Sequence, residues 1–121
     1  MAHERTYDPA DATLAQLRSL ALALPESTEV EAWGRPTFRA GKMFAVYGRT
    51  PEDGANLIVK PDPEDLPGLR DDGRFYVPPY FKTWLALDLD DTTDWLEVNE
   101  LLDASYRQVA PKRLTDRLEG S

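Results

Sequence analysis

Two arginines and a lysine flank a predicted β-turn in the first half of the chain. Arg35 and Arg39 precede Gly41, and Lys42 follows it directly. Short runs with apolar residues lie on both sides of Gly41, and glycine adopts the positive φ that a tight turn needs, so the sequence predicts a β-hairpin. Arginine and lysine are the natural contacts to phosphate, and a two-stranded ribbon can enter a DNA groove, with Arg39 and Lys42 projecting from its tip. The alternative interpretation is a solvent-exposed hairpin edge, on which lysine discourages pairing between molecules.

A second basic group lies beside aromatic residues further along the chain. Tyr80 and Phe81 precede Lys82, and Trp84 follows it. Aromatic rings stack on bases, and a lysine adds positive charge. The same rings can equally belong to the core, with Lys82 alone in solvent. With Lys60, which follows a predicted strand, the predicted DNA contacts are Arg35, Arg39, Lys42, Lys60 and Lys82.

A small-molecule site is the chief alternative to DNA binding. Trp33, Tyr80 and Trp84 would line an aromatic pocket in a binding or resistance-type protein. A protein–protein adaptor is a third interpretation. Salt-dependent retention on DNA would favour the first function, whereas a thermal shift with a small molecule and no DNA binding would favour the second.

The residue types that catalysis and metal binding use most often are scarce or poorly spaced. The chain has no cysteine, and its one histidine, His3, has no partner at metal-ligand spacing. The carboxylates between residues 62 and 91 lack the glycine and terminal glutamate positions of a calcium-binding loop and are typical of solvated turns. No serine-hydrolase, P-loop or dinucleotide-binding motif is present. We therefore expect no catalytic residues, metal or cofactor, and a binding protein rather than an enzyme.

Length and composition predict one globular domain over residues 1–121, with 41% apolar residues to build a core. The net charge of −8 argues against tight non-specific binding to nucleic acid. The charge is uneven, however, because residues 33–60 hold five basic residues and two acidic ones. No apolar run approaches the roughly 18 residues of a membrane span, and the N-terminus lacks an apolar signal core, so we expect a cytoplasmic protein without membrane contact. The sequence leaves the oligomeric state open.

Apolar periodicity supplies the elements that must position these side chains. Charged and apolar residues alternate in Glu29–Trp33, which predicts a half-buried strand. Asp8 with Pro9 predicts the start of the first helix, and Asp94 predicts the cap of the last long one. The predicted helices are Ala10–Leu24, Pro63–Arg70 and Asp94–Val109, before a final basic turn, Lys112–Leu118; the predicted strands are Glu29–Trp33, Thr37–Arg39, Met43–Val46, Asn56–Lys60, Arg74–Val77 and Trp84–Leu89. Strands clustered between two helices predict an α+β fold, with an antiparallel sheet covered by helices on one face.

Several short motifs, in this order, resemble the MmcQ/YjbR family of small bacterial proteins. The segment from Pro78 through Tyr80 and Lys82 to Trp84 fits the family pattern of proline, an aromatic ring, a basic residue and tryptophan. An Asn-Lys pair common in the family is replaced here by Phe81-Lys82. The resemblance extends from Leu14 to Leu118 and implies a CyaY-like α+β fold of the double-wing type. It also implies a non-enzymatic DNA-binding role.

Overall fold

The computed structural model describes residue 8 and residues 10–50, 54–78 and 81–119. Its elements are α1 (Ala12–Ala21), β1 (Thr28–Ala32), β2 (Arg35–Ala40), β3 (Lys42–Thr50), β4 (Gly54–Val59), α2 (Leu66–Asp71), β5 (Phe75–Tyr76), β6 (Leu85–Leu89), α3 (Trp95–Val109) and α4 (Lys112–Leu118). The predicted order of helices and strands is confirmed. The final basic turn is the short helix α4, which begins directly after Pro111.

The six strands form one antiparallel sheet in the order β1-β2-β3-β4-β6-β5. The first four strands follow one another as a meander because each connection is a tight turn or a short loop. Gly41 has a φ of +81° in the β2–β3 turn, which confirms the predicted glycine turn. The chain then leaves the sheet through α2 and returns as β5 on the outer edge, before β6 pairs with β4.

The helices pack on one face of this sheet, and the main core lies between the two layers. Leu17 of α1 and Leu102 of α3 are fully buried there, as the apolar periodicity of their helices predicts. Phe44 and Tyr106 meet edge to face, with ring centroids 5.5 Å apart. The arrangement confirms the predicted α+β fold with an antiparallel sheet and helices on one side.

Both long helices begin at an aspartate, although only one of the two predicted caps is confirmed. Asp94 accepts hydrogen bonds from the N–H groups of residues 96 and 97, as expected. The predicted start of the first helix at Asp8 is wrong, because Asp11 caps α1 by accepting from the N–H of Thr13. Asp8 instead accepts from the N–H of Ala10, at 2.9 Å, in a turn that precedes the helix. Asp11 suits the position better because its second oxygen also accepts from the Tyr47 hydroxyl, at 2.7 Å.

Candidate functional site

The sheet face opposite the helices, here called the helix-free face, carries one row of side chains across all six strands. Successive strand residues point to opposite sides of a sheet, so directly paired residues share a face. The strand register aligns Val30, Thr37, Val46, Ile58, Ala86 and Tyr76 in this row. Val46, Ile58 and Ala86 form a small buried cluster, and Met43, Phe81 and Trp84 pack against it. The middle of the face is therefore a dry apolar floor flanked by polar side chains.

A polar row runs beside this floor, over Gly48 of β3. A Cβ atom on Gly48 would lie 2.5 Å from Oδ1 of Asn56 and 3.2 Å from Nη1 of Arg35, so the missing side chain leaves room for both groups. Nδ2 of Asn56 donates to the Tyr76 hydroxyl at 3.1 Å, and that hydroxyl donates to Oδ1 of Asp88 at 2.7 Å. Oδ1 of Asn56 is buried without a hydrogen-bond partner among the described residues. The row places an arginine at one end and a carboxylate at the other.

Arg39 lies along the helix-free face and not at the tip of a free hairpin. Its Nε donates to Oγ1 of Thr37 at 3.2 Å, and the buried Thr37 hydroxyl donates to the carbonyl of Val30. Strand β2 pairs with β1 on one side and β3 on the other, so the hairpin is an internal part of the sheet. The structure thus brings Arg35 and Arg39 together on one strand and one face, but does not present them on an isolated ribbon.

Lys42 lies on the other side of the sheet. It pairs with Ala40, whose side chain belongs to the core beneath the helices. The adjoining Gly41 turn approaches Pro111, because a Cβ on Gly41 would lie 3.9 Å from Cδ of that proline. The structure therefore separates Lys42 from Arg35 and Arg39, although the three are close in sequence.

The two remaining predicted cations lie after β4 and before β6. The backbone N–H of Lys60 donates to the Ser105 hydroxyl at 2.8 Å, which fixes the chain as it leaves β4. Lys82 is exposed, and its carbonyl accepts from Nη2 of Arg70 at 3.4 Å. Sequence reasoning missed Arg70, since it lies in the last turn of a short helix with no motif around it.

Ion pairing divides the basic residues into two groups. The residues of the first group pair with carboxylates; they are Arg18, Arg74, Arg107, Lys112, Arg113 and Arg117. Hydrogen bonding from Arg113, with the charges of Arg113 and Arg117, lowers the pKa of Glu26 below its ordinary value. No ion pair joins Arg35, Arg39, Lys42, Lys60, Arg70 or Lys82 to another residue within the described part of the chain. The five predicted contacts all fall in this second group.

Trp33 and Trp84, two of the three predicted aromatic residues, lie far apart. Trp33 and Gly34 form the two-residue turn between β1 and β2, with φ values of +55° and +75°. Trp33 is 52% exposed, while Trp84 packs on the apolar floor at an edge-to-face distance of 5.6 Å from Phe81. The strand register separates Trp33 from Trp84 by roughly 25 Å, given four strand spacings of about 4.8 Å and an offset of about five residues with a rise of about 3.3 Å each. The two do not line one pocket, and Tyr80 lies outside the described residues.

No group of three or more histidine, aspartate or glutamate side chains is arranged to hold a metal ion in the described part of the chain. None of the helices described there is long and apolar enough to cross a membrane.

The fold and this face define a class of small α+β proteins in which an antiparallel sheet is covered by helices on one side only. The YjbR family model matches residues 22–108, and the chain belongs to the YjbR family. This confirms the family resemblance.

Two crystal structures share the fold. Protein DR2400 of Deinococcus radiodurans, described with a DUF419 domain, is 27% identical over 88% of each chain, with a TM-score of 0.71. A protein from Pseudomonas syringae is 18% identical over 78% of this chain and 97% of its own, with a TM-score of 0.66, which supports the fold alone. A comparison with curated proteins gave no match.

Proposed function

We propose that this protein binds DNA through the helix-free face of its sheet, with Arg35 and Arg39 contacting phosphates. The observation that carries the proposal is the division of the basic residues. Arg35 and Arg39 share one face of β2 and have no carboxylate partner among the described residues, whereas the cations on α1, α3 and α4 pair with neighbouring carboxylates.

The distribution of acidic side chains also favours the helix-free face as the DNA-binding surface. Glu29 of β1 points toward the helices, where its carboxylate binds Arg18 of α1, and Glu31 shares that side by strand alternation. Among the described strand residues, Asp88 is the acidic residue on the helix-free face, and it accepts a hydrogen bond from the Tyr76 hydroxyl. The helix-free face therefore attracts phosphate although the chain as a whole carries a charge of −8.

The size of this charge predicts a modest, salt-sensitive affinity. Arg35 and Arg39 supply two phosphate contacts in this proposal, and Lys60 and Lys82, the other two predicted contacts without an ion pair, supply two more. Each contact contributes about 0.9 to the slope of log K against log salt on duplex DNA, and about 0.7 on a single strand. Four contacts therefore predict a slope near −3.6 for a duplex and near −2.8 for a single strand.

A salt titration with a matched control tests the proposal. Retention of a fluorescent oligonucleotide, as duplex and as single strand, is measured from about 50 to 200 mM salt, the range over which phosphate contacts are lost. The double variant Arg35→Ala with Arg39→Ala should bind more weakly, with a slope reduced by about 1.8 on duplex or about 1.4 on single strand. Lys42→Ala removes a positive charge from the opposite side of the same hairpin and should change the slope little. Equal losses in the two variants, or no binding by the native protein at about 50 mM salt, would refute the proposal.

A further inference from the structure

We infer that the DNA held by this face is single-stranded and that Trp33 stacks on one of its bases. This inference rests on the proposed DNA binding and adds the form of the nucleic acid and a residue that selects it. Three observations carry it: the shape of the face, the exposure of Trp33 and the backbone that holds it.

The helix-free face is too broad to enter a DNA groove. Six strands at about 4.8 Å spacing span about 24 Å, whereas the major groove is about 12 Å wide. Strand β2 is bordered by β1 and β3, so its arginines cannot reach the groove as a separate ribbon. A duplex would touch such a face only through phosphates on its outside. A single strand can instead stack an unpaired base on an exposed aromatic side chain at the margin of the face.

Trp33 is an exposed aromatic residue in the turn that joins β1 to β2. The residue is 52% exposed, and Val30, on the helix-free face of neighbouring β1, is 42% exposed. Arg35 follows two residues later, so one nucleotide can reach the indole with its base and the guanidinium with its phosphate. Aromatic stacking together with arginine is how many proteins hold single strands without reading their sequence.

The conformation of the turn does not explain why residue 33 is a tryptophan. A two-residue turn with positive φ at both positions favours asparagine and glycine, and a bulky residue adopts such a φ only with strain. Trp33 has a φ of +55° and remains half outside the fold. Neither local geometry nor burial accounts for a tryptophan here, whereas contact with a ligand does.

The test compares a thymidine oligonucleotide with the same sequence hybridised to its complement, at fixed low salt. The native protein should bind the single strand more tightly. Trp33→Asn should weaken single-strand binding about 5- to 150-fold, the range expected for one stacked base, and leave duplex binding unchanged. Trp33→Phe keeps an aromatic ring and should retain most of the affinity. Leu96→Ala removes an exposed apolar side chain from α3 and serves as the matched control.

The possible failures separate the two proposals. Duplex binding as tight as single-strand binding, still dependent on Arg35 and Arg39, would leave the DNA-binding function standing and overturn the inference. Undiminished single-strand affinity in Trp33→Asn would do the same. Absence of binding to both single-stranded and duplex DNA would refute the proposed function and the inference together. Trp33→Asn relieves a strained backbone, so its melting temperature should equal or exceed that of the native protein, which excludes unfolding as the cause of lost binding.

Discussion

Ser105 of α3 joins the helix layer to the sheet at the point where the β3–β4 ladder stops. Its hydroxyl donates to the carbonyl of Phe44 at 2.5 Å and accepts from the N–H of Lys60 at 2.8 Å. The last residue pair at this end of the ladder is Ala45 with Val59. The hydroxyl therefore bonds the next two backbone groups beyond that pair, the Phe44 carbonyl and the Lys60 N–H. Ser105 is fully buried, and water has no access to replace it.

We expect Ser105→Ala to destabilise the protein by about 1.5–5.5 kcal/mol. The change leaves one buried carbonyl and one buried N–H unpaired, at about 1–3 kcal/mol each. The higher helix propensity of alanine offsets about 0.5 kcal/mol of that cost. The loss is a large share of the roughly 5–15 kcal/mol by which a domain of this size is stable.

Urea denaturation of the native protein and two variants measures the effect. Ser19 of α1 is exposed, and its hydroxyl donates to the carbonyl of Gln16, so Ser19→Ala makes the same chemical change without burial. It should stay within about 0.5 kcal/mol of the native value. A loss below about 1 kcal/mol for Ser105→Ala would show that the Phe44 carbonyl and the Lys60 N–H find other partners, and the reasoning would fail.

Three further predictions concern the core, the polar row and the response to acid. Leu102→Ala should cost about 2–5 kcal/mol by urea denaturation, because the side chain is fully buried; a loss under about 0.5 kcal/mol would contradict its place in the core. Gly48→Ala should displace the Asn56 amide from its bond to the tyrosine hydroxyl and cost about 1 kcal/mol, and an unchanged melting temperature would show that the amide moves freely. The pKa of Glu26 is lowered by Arg113 in the folded state, so its stabilising effect is present above the ordinary value of 4.5 and is lost as the pH falls through the folded pKa. The melting temperatures of native protein and Glu26→Gln should therefore differ at pH 7 and converge as the pH falls below the folded pKa of Glu26; a constant difference would show that this pair does not contribute.

The order of the elements could be predicted because the apolar pattern is local. Leu85, Leu87 and Leu89 alternate with residues of the other face, and the period of two is enough to identify a strand. At β1 the same alternation predicted a strand but did not identify which of its residues face the core. Glu29 points toward α1 because Arg18 binds it there at 2.5 Å, and Val30 is left exposed.

The β-bulge in β3 could not be predicted from the sequence either. Phe38 pairs with Ala45 and Arg39 with Met43, which leaves Phe44 as an extra residue. Phe44 and Ala45 therefore both face the main core, although neighbours in a regular strand face opposite sides. A run of apolar residues carries no local sign of such a break, because the Ser105 bond that accommodates it comes from 61 residues away.

The candidate site was predictable as a set of residue types but not as a surface. Arginine and lysine around a glycine turn indicated contact with phosphate. Which of those cations share a face depends on the register at Ala40 and Lys42, and which cations elsewhere are neutralised depends on pairs such as Arg113 with Glu26, 87 residues apart. Trp33 was visible in the sequence as an aromatic residue, but its strained, exposed position follows from the turn that β1 and β2 impose.

Contacts in the helix layer join residues that are far apart in sequence. This separation limits the order in which the protein can fold during synthesis. Each hairpin of the meander pairs residues near in sequence, so β1 to β4 can associate as they emerge from the ribosome. The hydroxyl of Tyr106, by contrast, donates to the carbonyl of Pro25 from 81 residues away, and Leu114 of α4 completes the same core. Until α3 and α4 are available, the apolar side of a formed sheet, with Tyr47 and Leu57, has only α1 and the short α2 to cover it. Delay in the last quarter of the chain therefore prolongs the stage at which this protein is most exposed to aggregation.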